Sequence, residues 1–215
     1  MVVVRFVFII SSLLLTLHAL PLKAQEVKSS ELLGKAIEYF QSAKYHEALL
    51  VFEKIQSREP LNPRFRAYMG VCYYYEWNFQ KATDVLTEVI PQLESFSPQE
   101  RCVYHYTCAE SLFALKEYRK SLPYYEQAYI LCHEREKGDI LYRMGMCYMF
   151  AEKWANAIDY FNSATNYYKQ FRHTESLKAR LTQIENMTAG CRKEMEKEQE
   201  KLKNDSINSV IPIIR

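Results

Sequence analysis

Glycine is scarce in this sequence, with five among 215 residues, and no glycine-rich phosphate-binding loop is present. The sequence also lacks the Gly-x-Ser-x-Gly elbow of many hydrolases and the His-Glu-x-x-His motif of zinc proteases. None of its six cysteines forms a Cys-x-x-Cys pair. A catalytic site would therefore have to come from scattered side chains. We expect no enzymatic activity, no cofactor and no small-molecule substrate.

An excess of charge of either sign is missing as well. The chain has 28 basic and 26 acidic residues. Residues 1–24 contain Arg5 and Lys23 and no acid, so without them 26 basic residues (28 minus 2) face 26 acidic ones. Binding to a phosphate backbone needs a basic excess or a basic stripe. We therefore expect no nucleic-acid partner.

The first 24 residues are typical of a signal peptide. Arg5 precedes an apolar run from Phe6 to Leu17, and Pro21 and the small residue Ala24 follow. The run is shorter than the ~20 residues that cross a bilayer. We predict cleavage after Ala24 and export of the remaining chain.

Small residues recur through the middle of the chain at intervals of 34, 39 and 36 residues, at Ala48, Ala82, Ser121 and Ala157. An aromatic residue lies three positions before each of them, at Tyr45, Phe79, Tyr118 and Trp154. Another small residue lies twelve positions before each, at Ala36, Gly70, Ala109 and Gly145. Such a period predicts repeated helical hairpins, in which small residues on facing helices let the axes approach to about 8–10 Å.

This pattern resembles the tetratricopeptide repeat, with units at residues 29–62, 63–96, 102–135 and 138–171. The resemblance implies an all-α protein, an α-solenoid of about four hairpins. Each hairpin buries only one of its faces, so neighbouring units must stack to complete the core. The sequence departs from the family pattern at Ile55 and Val89, where a small residue is usual.

Local signals predict where several helices begin and end. Asn62-Pro63 supplies a cap and a first-turn proline, and residues 97–100 form a capping box with proline at the first helical position. Pro91 should end or kink the fourth helix, and Pro123 should bend the sixth.

The repeat pattern stops near residue 172. An apolar stripe from Leu177 to Leu202 then predicts a long helix over residues 172–203. We expect this helix to cap the last repeat, and residues 204–215 to form a tail that docks on a partner or in the chain's own groove.

The resemblance also implies a binding surface. In this family, the first helix of each unit lines a concave groove. We expect the groove to be apolar and aromatic and to bind a helix or an extended peptide of another protein, although about half of its side chains should pack between units. The corresponding residues here are Leu33, Ile37, Phe40, Arg64, Ala67, Val71, Tyr74, Tyr75, Val103, Tyr106, Glu110, Phe113, Tyr142, Met146, Met149 and Phe150. Leu33 and Ile37 replace the Lys and Asn with which some members hold a partner's terminal carboxylate, so we expect no such clamp.

The sequence therefore favours an exported protein-interaction scaffold of the bacterial cell envelope. Such a protein would lie in the periplasm or at the outer membrane, with peripheral envelope association left open. The alternative is a structural subunit of an envelope or secretion assembly that docks through its C-terminal helix and tail. These alternatives differ in which surface meets the partner.

Two cysteines are expected to lie close together. Cys102 begins the first helix of unit three, and Cys132 ends its antiparallel partner. A disulfide between them is one alternative and two free thiols the other. Zinc ligation by four of Cys102, His105, Cys108, Cys132 and His133 is less favoured, because the spacing of the first three spreads the ligands over two helical turns. We therefore predict no metal site and expect the remaining cysteines in the apolar core.

Overall fold

The computed structural model describes residues 28–171 and 176–210. These residues contain no strand, which confirms the all-α prediction. The predicted signal peptide, residues 1–24, and residues 211–215 lie outside the described part. The helices are α1 Ser29–Gln41, α2 Tyr45–Gln56, α3 Pro63–Tyr75, α4 Phe79–Val89, α5 Pro98–Ala114, α6 Tyr118–Leu131, α7 Glu134–Phe150, α8 Trp154–Phe171 and α9 Ser176–Val210.

Helices α1 to α8 form four hairpins, and each helix packs against the next along the chain. The core is continuous between hairpins: Met69 and Cys72 of α3 share a cluster with Phe52 of α2, and Ile140 of α7 shares one with Tyr125 of α6. No hairpin encloses its own core. The molecule is therefore an α-solenoid, as the repeat pattern predicted.

The first helices of units three and four begin before the units themselves. Helix α5 begins at Pro98, as the proline of residues 97–100 predicted, and α7 begins at Glu134; each start lies four residues before the first residue of its unit. Local capping explains both differences. The Ser97 hydroxyl accepts a hydrogen bond from the Glu100 amide at 3.2 Å, and Glu136 accepts one from the His133 amide at 3.2 Å.

The small residues of the repeat are buried where the paired helices meet. Gly145 and Gly70 are the most tightly packed of them. A Cβ atom at Gly145 would lie 2.6 Å from Cδ1 of Phe161, and one at Gly70 would lie 2.6 Å from Cγ of Leu86. Each glycine thus makes room for a bulky residue of the partner helix. Phe161 and Leu86 lie one turn after Ala157 and Ala82, the small residues that the pattern predicted to face the two glycines.

Equivalent residues in the four hairpin turns adopt a left-handed backbone conformation. Their φ angles lie between 56° and 63°, at Ala43, Trp77, Lys116 and Glu152. The residue after each donates an amide hydrogen bond back to the helix, for example from Lys44 to the Tyr39 carbonyl at 2.9 Å. The turns terminate their helices in the way that glycine usually does. The sequence offered no signal for this, because none of these residues is glycine.

Pro91 and Pro123 differ in their effect on the helices that contain or precede them. Helix α4 ends at Val89 and a 3₁₀ turn over Ile90–Gln92 follows, so Pro91 ends the helix rather than kinking it. Pro123 lies inside α6, which continues past it to Leu131.

The predicted cap at Asn62 is present, and we expect it to contribute measurably to stability. The Asn62 side chain accepts a hydrogen bond from the Phe65 amide at 3.2 Å. Replacing Asn62 by Ala should lower the free energy of unfolding by about 1 kcal/mol, because an amide at the start of α3 loses its partner. Replacing Asn62 by Ser should cost much less. Urea denaturation measures both, and equal losses would contradict the capping role.

The C-terminal helix is longer than predicted, because α9 continues to Val210 instead of ending at residue 203. Its buried side chains include Leu177, Ile184 and Cys191, and it packs on α8. Residues 196–205 are exposed along their whole length. The first half of α9 therefore covers the last repeat, and the second half extends into solvent. Within residues 28–171 and 176–210, no helix has both the length and the apolar character needed to span a membrane.

Candidate functional site

The residues predicted to line the groove divide into three groups by exposure. The first is buried in the core: Ala67, Val71, Glu110 and Tyr142 are between 0% and 6% exposed. Val71 packs with Leu86 and Tyr104, and Tyr142 packs against Phe161 at 6.1 Å between ring centroids. These side chains support the face formed by the first helices but cannot contact a partner directly.

The second group is partly buried: Leu33, Ile37, Phe40, Arg64, Tyr74, Tyr106, Phe113, Met146 and Met149. Arg64 illustrates how this group joins the units. Its guanidinium donates two hydrogen bonds to Glu100, at 2.7 and 3.0 Å, and lies 5.2 Å from the ring centroid of Phe96. The Tyr104 hydroxyl donates to the same carboxylate. Glu100 was predicted to complete a capping box at Ser97, but its side chain instead joins α3 to α5, because a cation and a hydroxyl lie within reach.

The third group is exposed. Tyr75 is 49% exposed, Val103 49% and Phe150 46%. Tyr75 stacks on Tyr45 at 3.9 Å, and Phe150 stacks on Tyr118 at 4.8 Å.

Trp77, in the turn after α3, is 81% exposed and was not predicted as a binding residue. We call Tyr75, Trp77 and Phe150 the aromatic edge. It lies where first helices turn into second helices. The unusual composition of the turn, a tryptophan among polar neighbours, was the signal that could have identified Trp77.

A polar network occupies the middle of the face that was expected to be apolar. Arg143 donates a hydrogen bond to Glu110 at 2.8 Å, and the Tyr125 hydroxyl donates to the other carboxylate oxygen at 2.5 Å. The Glu110 side chain is 6% exposed and that of Arg143 32%. The Arg143 guanidinium also lies 5.0 Å from the ring centroid of Phe113. The predicted apolar groove is therefore interrupted by an ion pair.

Burial and charge shift the proton affinities of this network. Burial raises the pKa of Tyr125 well above its ordinary value, and the Glu110 carboxylate acts in the same direction. Burial also raises the pKa of Tyr106. Arg143 shows the opposite balance: burial alone would lower its pKa, but the nearby Glu110 raises it. Both tyrosines are neutral and Arg143 is charged at neutral pH, so the network holds one cation and one buried anion.

Cys102 and Cys132 lie close together, as predicted, and both thiols are free. Their sulfur atoms and a carboxylate oxygen of Glu136 all lie within 4.8 Å of one another. Interaction with the neighbouring Cys132 thiol, followed by burial, raises the pKa of Cys102, and interaction with the Cys102 thiol lowers the pKa of Cys132. The disulfide stays a prediction. Glu136 was missed because it lies between the predicted units three and four, and its spacing of four residues from Cys132 matches no known ligand motif.

His105 and Cys108 lie apart from this cluster. His105 is 8% exposed, and its Nδ1 atom has no hydrogen-bond partner among the described residues. Burial, followed by the positive charge of Arg101, lowers the pKa of His105 to about 4. Cys108 is fully buried. Of the zinc ligands considered from the sequence, the fold brings Cys102 and Cys132 together and places Glu136 beside them instead of His105 and Cys108.

No protein-family model and no curated protein matches this sequence. Solved structures do resemble it. A MamA structure from Desulfovibrio magneticus RS-1 has a TM-score of 0.58 at 16% identity, over 84% of this chain and 98% of that one. A MamA mutant has a TM-score of 0.61 at 13% identity, over 83% and 94% of the two chains.

A third similar structure contains repeats of the tetratricopeptide kind. It is a putative kinesin light chain protein from Podosopora anserina with nearly identical TPR-like repeats, and it has a TM-score of 0.56 at 12% identity, over 84% of this chain and 92% of that one. At such low identities the likeness concerns the fold alone. In its fold, the chain is a helical-repeat protein of the tetratricopeptide type.

Proposed function

We propose that this protein is a protein–protein interaction scaffold that binds a helix or an extended segment of a partner. The observation that carries the proposal is the aromatic edge, whose three large side chains are between 46% and 81% exposed. Tyr75 and Trp77 lie at or just after the end of α3 and Phe150 at the end of α7, two repeats later, and exposed apolar side chains repeated along a solenoid are typical of partner-binding sites. Partly buried side chains of the first helices, such as Tyr74 and Met149, continue this surface toward the inside of the solenoid.

The edge is suited to a partner with apolar side chains. Tyr75 and Phe150 are each held by a stacked ring, so little rotamer freedom is lost on binding. Covering the exposed half of one such ring removes on the order of 100 Å² from water and contributes about 2 kcal/mol before the costs of association. Two or three such anchors contribute about 4–6 kcal/mol, so the partly buried side chains beside them must supply the rest of the affinity.

Replacing both Tyr75 and Phe150 by Ala should weaken binding at least about tenfold, because central aromatic anchors carry much of an interface's energy. The partner would be captured by crosslinking in the native cell and purified, and its dissociation constant measured by calorimetry.

A matched control is available on the second helices. Leu50 of α2 and Ile130 of α6 are 54% and 67% exposed, so replacing both by Ala removes similar apolar area from another surface. That variant should bind as the unaltered protein does. Helicity measured by circular dichroism would show that both variants fold. Equal affinities for the two double variants would contradict the proposal.

The cellular location is part of the same proposal. We infer export to the bacterial periplasm or the outer membrane, because residues 1–24 have the composition of a signal peptide. Mature protein isolated from the periplasmic fraction should begin at Gln25. An unprocessed N-terminus in the cytoplasmic fraction would exclude export.

The second half of α9 supports an alternative role as a structural subunit. It extends beyond the packed solenoid, and Leu202 is 62% exposed there. A helix of this kind can pack along another subunit. Deleting residues 204–215 separates the two roles. Loss of an assembly with unchanged partner binding at the aromatic edge would favour the structural role.

A further inference from the structure

We propose that Cys102, Cys132 and Glu136 bind one Zn²⁺ ion, which joins the third repeat to the first helix of the fourth. The site is separate from the aromatic edge and goes beyond the scaffold function. Two thiolates and a carboxylate are a ligand set that favours zinc over hard cations such as Mg²⁺ and Ca²⁺.

The three ligands come from α5, from the junction between α6 and α7, and from α7. Cys102 lies in the second turn of α5, Cys132 follows the last residue of α6, and Glu136 lies in the first turn of α7. Their ligand atoms are all within 4.8 Å of one another. Ligand atoms around a tetrahedral zinc ion are roughly 3.5–4 Å apart. Closing the remaining distance needs shifts of about 1 Å or less, which side-chain rotation can supply.

A pocket gives the ion access and leaves room for a fourth ligand. It has a volume of about 310 Å³ and is lined by Cys102, Val103, Tyr106, Glu136, Asp139 and Ile140. The two cysteines are only 7% and 8% exposed, so the pocket is the route by which an ion reaches Cys102. A water molecule in the pocket completes the tetrahedron. On binding, the two thiols release their protons to solvent.

The groups around the site favour the negative charge that the two cysteines carry when they bind a metal ion. Cys132 lies two residues before the first residue of α7, near the positive end of that helix dipole. Lys137, the residue after Glu136, places a positive charge on the same turn, part of which its partner Glu134 neutralises. Two thiolates, one carboxylate and Zn²⁺ together carry one net negative charge, which suits a site at the start of a helix.

A disulfide would account for the two sulfurs but not for the carboxylate. Glu136 is held beside them by its hydrogen bond with the His133 amide at 3.2 Å. A neutral disulfide gains nothing from a carboxylate next to it, whereas a metal ion uses it as a third ligand. The capping bond to the His133 amide fixes the Glu136 carboxylate beside the two sulfurs, where a metal ion can use it as a third ligand.

Cobalt substitution tests the site in the full-length chain, reduced with a phosphine. One equivalent of Co²⁺ should produce thiolate-to-cobalt charge-transfer absorption with the strong visible bands of four-coordinate cobalt, and Zn²⁺ should displace it. Zn²⁺ should also raise the midpoint of thermal unfolding, because it binds only the folded arrangement.

Single substitutions assign the ligands. Cys132→Ser should abolish the charge-transfer band, and Glu136→Gln should keep it but weaken metal binding at least about tenfold. Cys191→Ser is the matched control, because Cys191 is a buried thiol of α9, distant from the site, and it should bind as the unaltered chain does. Circular dichroism verifies that each variant is folded.

Three results would overturn the proposal. The first is the absence of a charge-transfer band in the reduced protein. The second is an undiminished band in Cys132→Ser. The third is a Cys102–Cys132 disulfide in protein isolated without reductant, together with no zinc binding after reduction.

Discussion

Replacing Arg143 by Met is expected to lower the free energy of unfolding by about 3 kcal/mol, because it leaves the Glu110 carboxylate buried without a cation. The Glu110 side chain is 6% exposed, and its remaining partner in the network is the Tyr125 hydroxyl at 2.5 Å. Methionine keeps most of the arginine's apolar volume, so the loss reports on charge more than on packing. Urea denaturation followed by circular dichroism measures the change.

A second substitution separates the charge from the geometry. Adding Glu110→Gln to Arg143→Met removes the unpaired anion while keeping an oxygen that accepts from Tyr125. The double variant should therefore be more stable than the single one. Such a reversal is expected when the cost comes from an isolated buried charge.

An exposed ion pair of the same type is the control. Arg66 pairs with Glu88, whose side chain is 60% exposed. Arg66→Met should cost less than about 1 kcal/mol, because solvent hydrates the Glu88 carboxylate that is left without its partner. If Arg143→Met costs no more than Arg66→Met, Glu110 keeps its hydration and the network does not join α5 to α7 energetically.

Replacing Gly145 by Val should also destabilise the protein, by about 3 kcal/mol. A Cβ atom at this position would already lie 2.6 Å from Phe161, which is fully buried and 0% exposed. The aromatic ring cannot move aside without disturbing the core cluster that it shares with Ala157 and Tyr168. The expected result is a lower urea midpoint with the helical content retained.

Gly34 provides the matched control, because it also lies in a helix but a Cβ atom there would have no neighbour within 4 Å. Gly34→Val should change stability little, since valine and glycine differ modestly in helix propensity. Adding Phe161→Leu to Gly145→Val should restore part of the loss by making space. Similar effects of valine at both glycines would show that the contact with Phe161 is not the cause.

Most of the architecture follows from patterns that are local in the chain. The recurrence of Ala48 and Ala82, with an aromatic three residues earlier, predicted helical hairpins because helix pairing depends on residue size at fixed positions. Asn62-Pro63 predicted the start of α3, since capping involves only neighbouring residues. The end of α9 was predicted less well, because neither glycine nor proline marks the end of its charged segment near residue 203.

The candidate sites were predicted less completely. The family positions identified Tyr75 and Phe150, but they also included Val71 and Tyr142, which the structure buries. Whether a side chain on a first helix is exposed depends on how closely the next unit stacks. Spacing within one unit carries little information about that distance.

The repeat period and the sizes of its residues were enough to establish an all-helical solenoid, because those features act between a helix and its neighbours in the chain. Stacking alone brought Arg143 to Glu110 and Glu136 to Cys102. The members of these two pairs are 33 and 34 residues apart and belong to different helices, so their meeting depends on the packing of whole units.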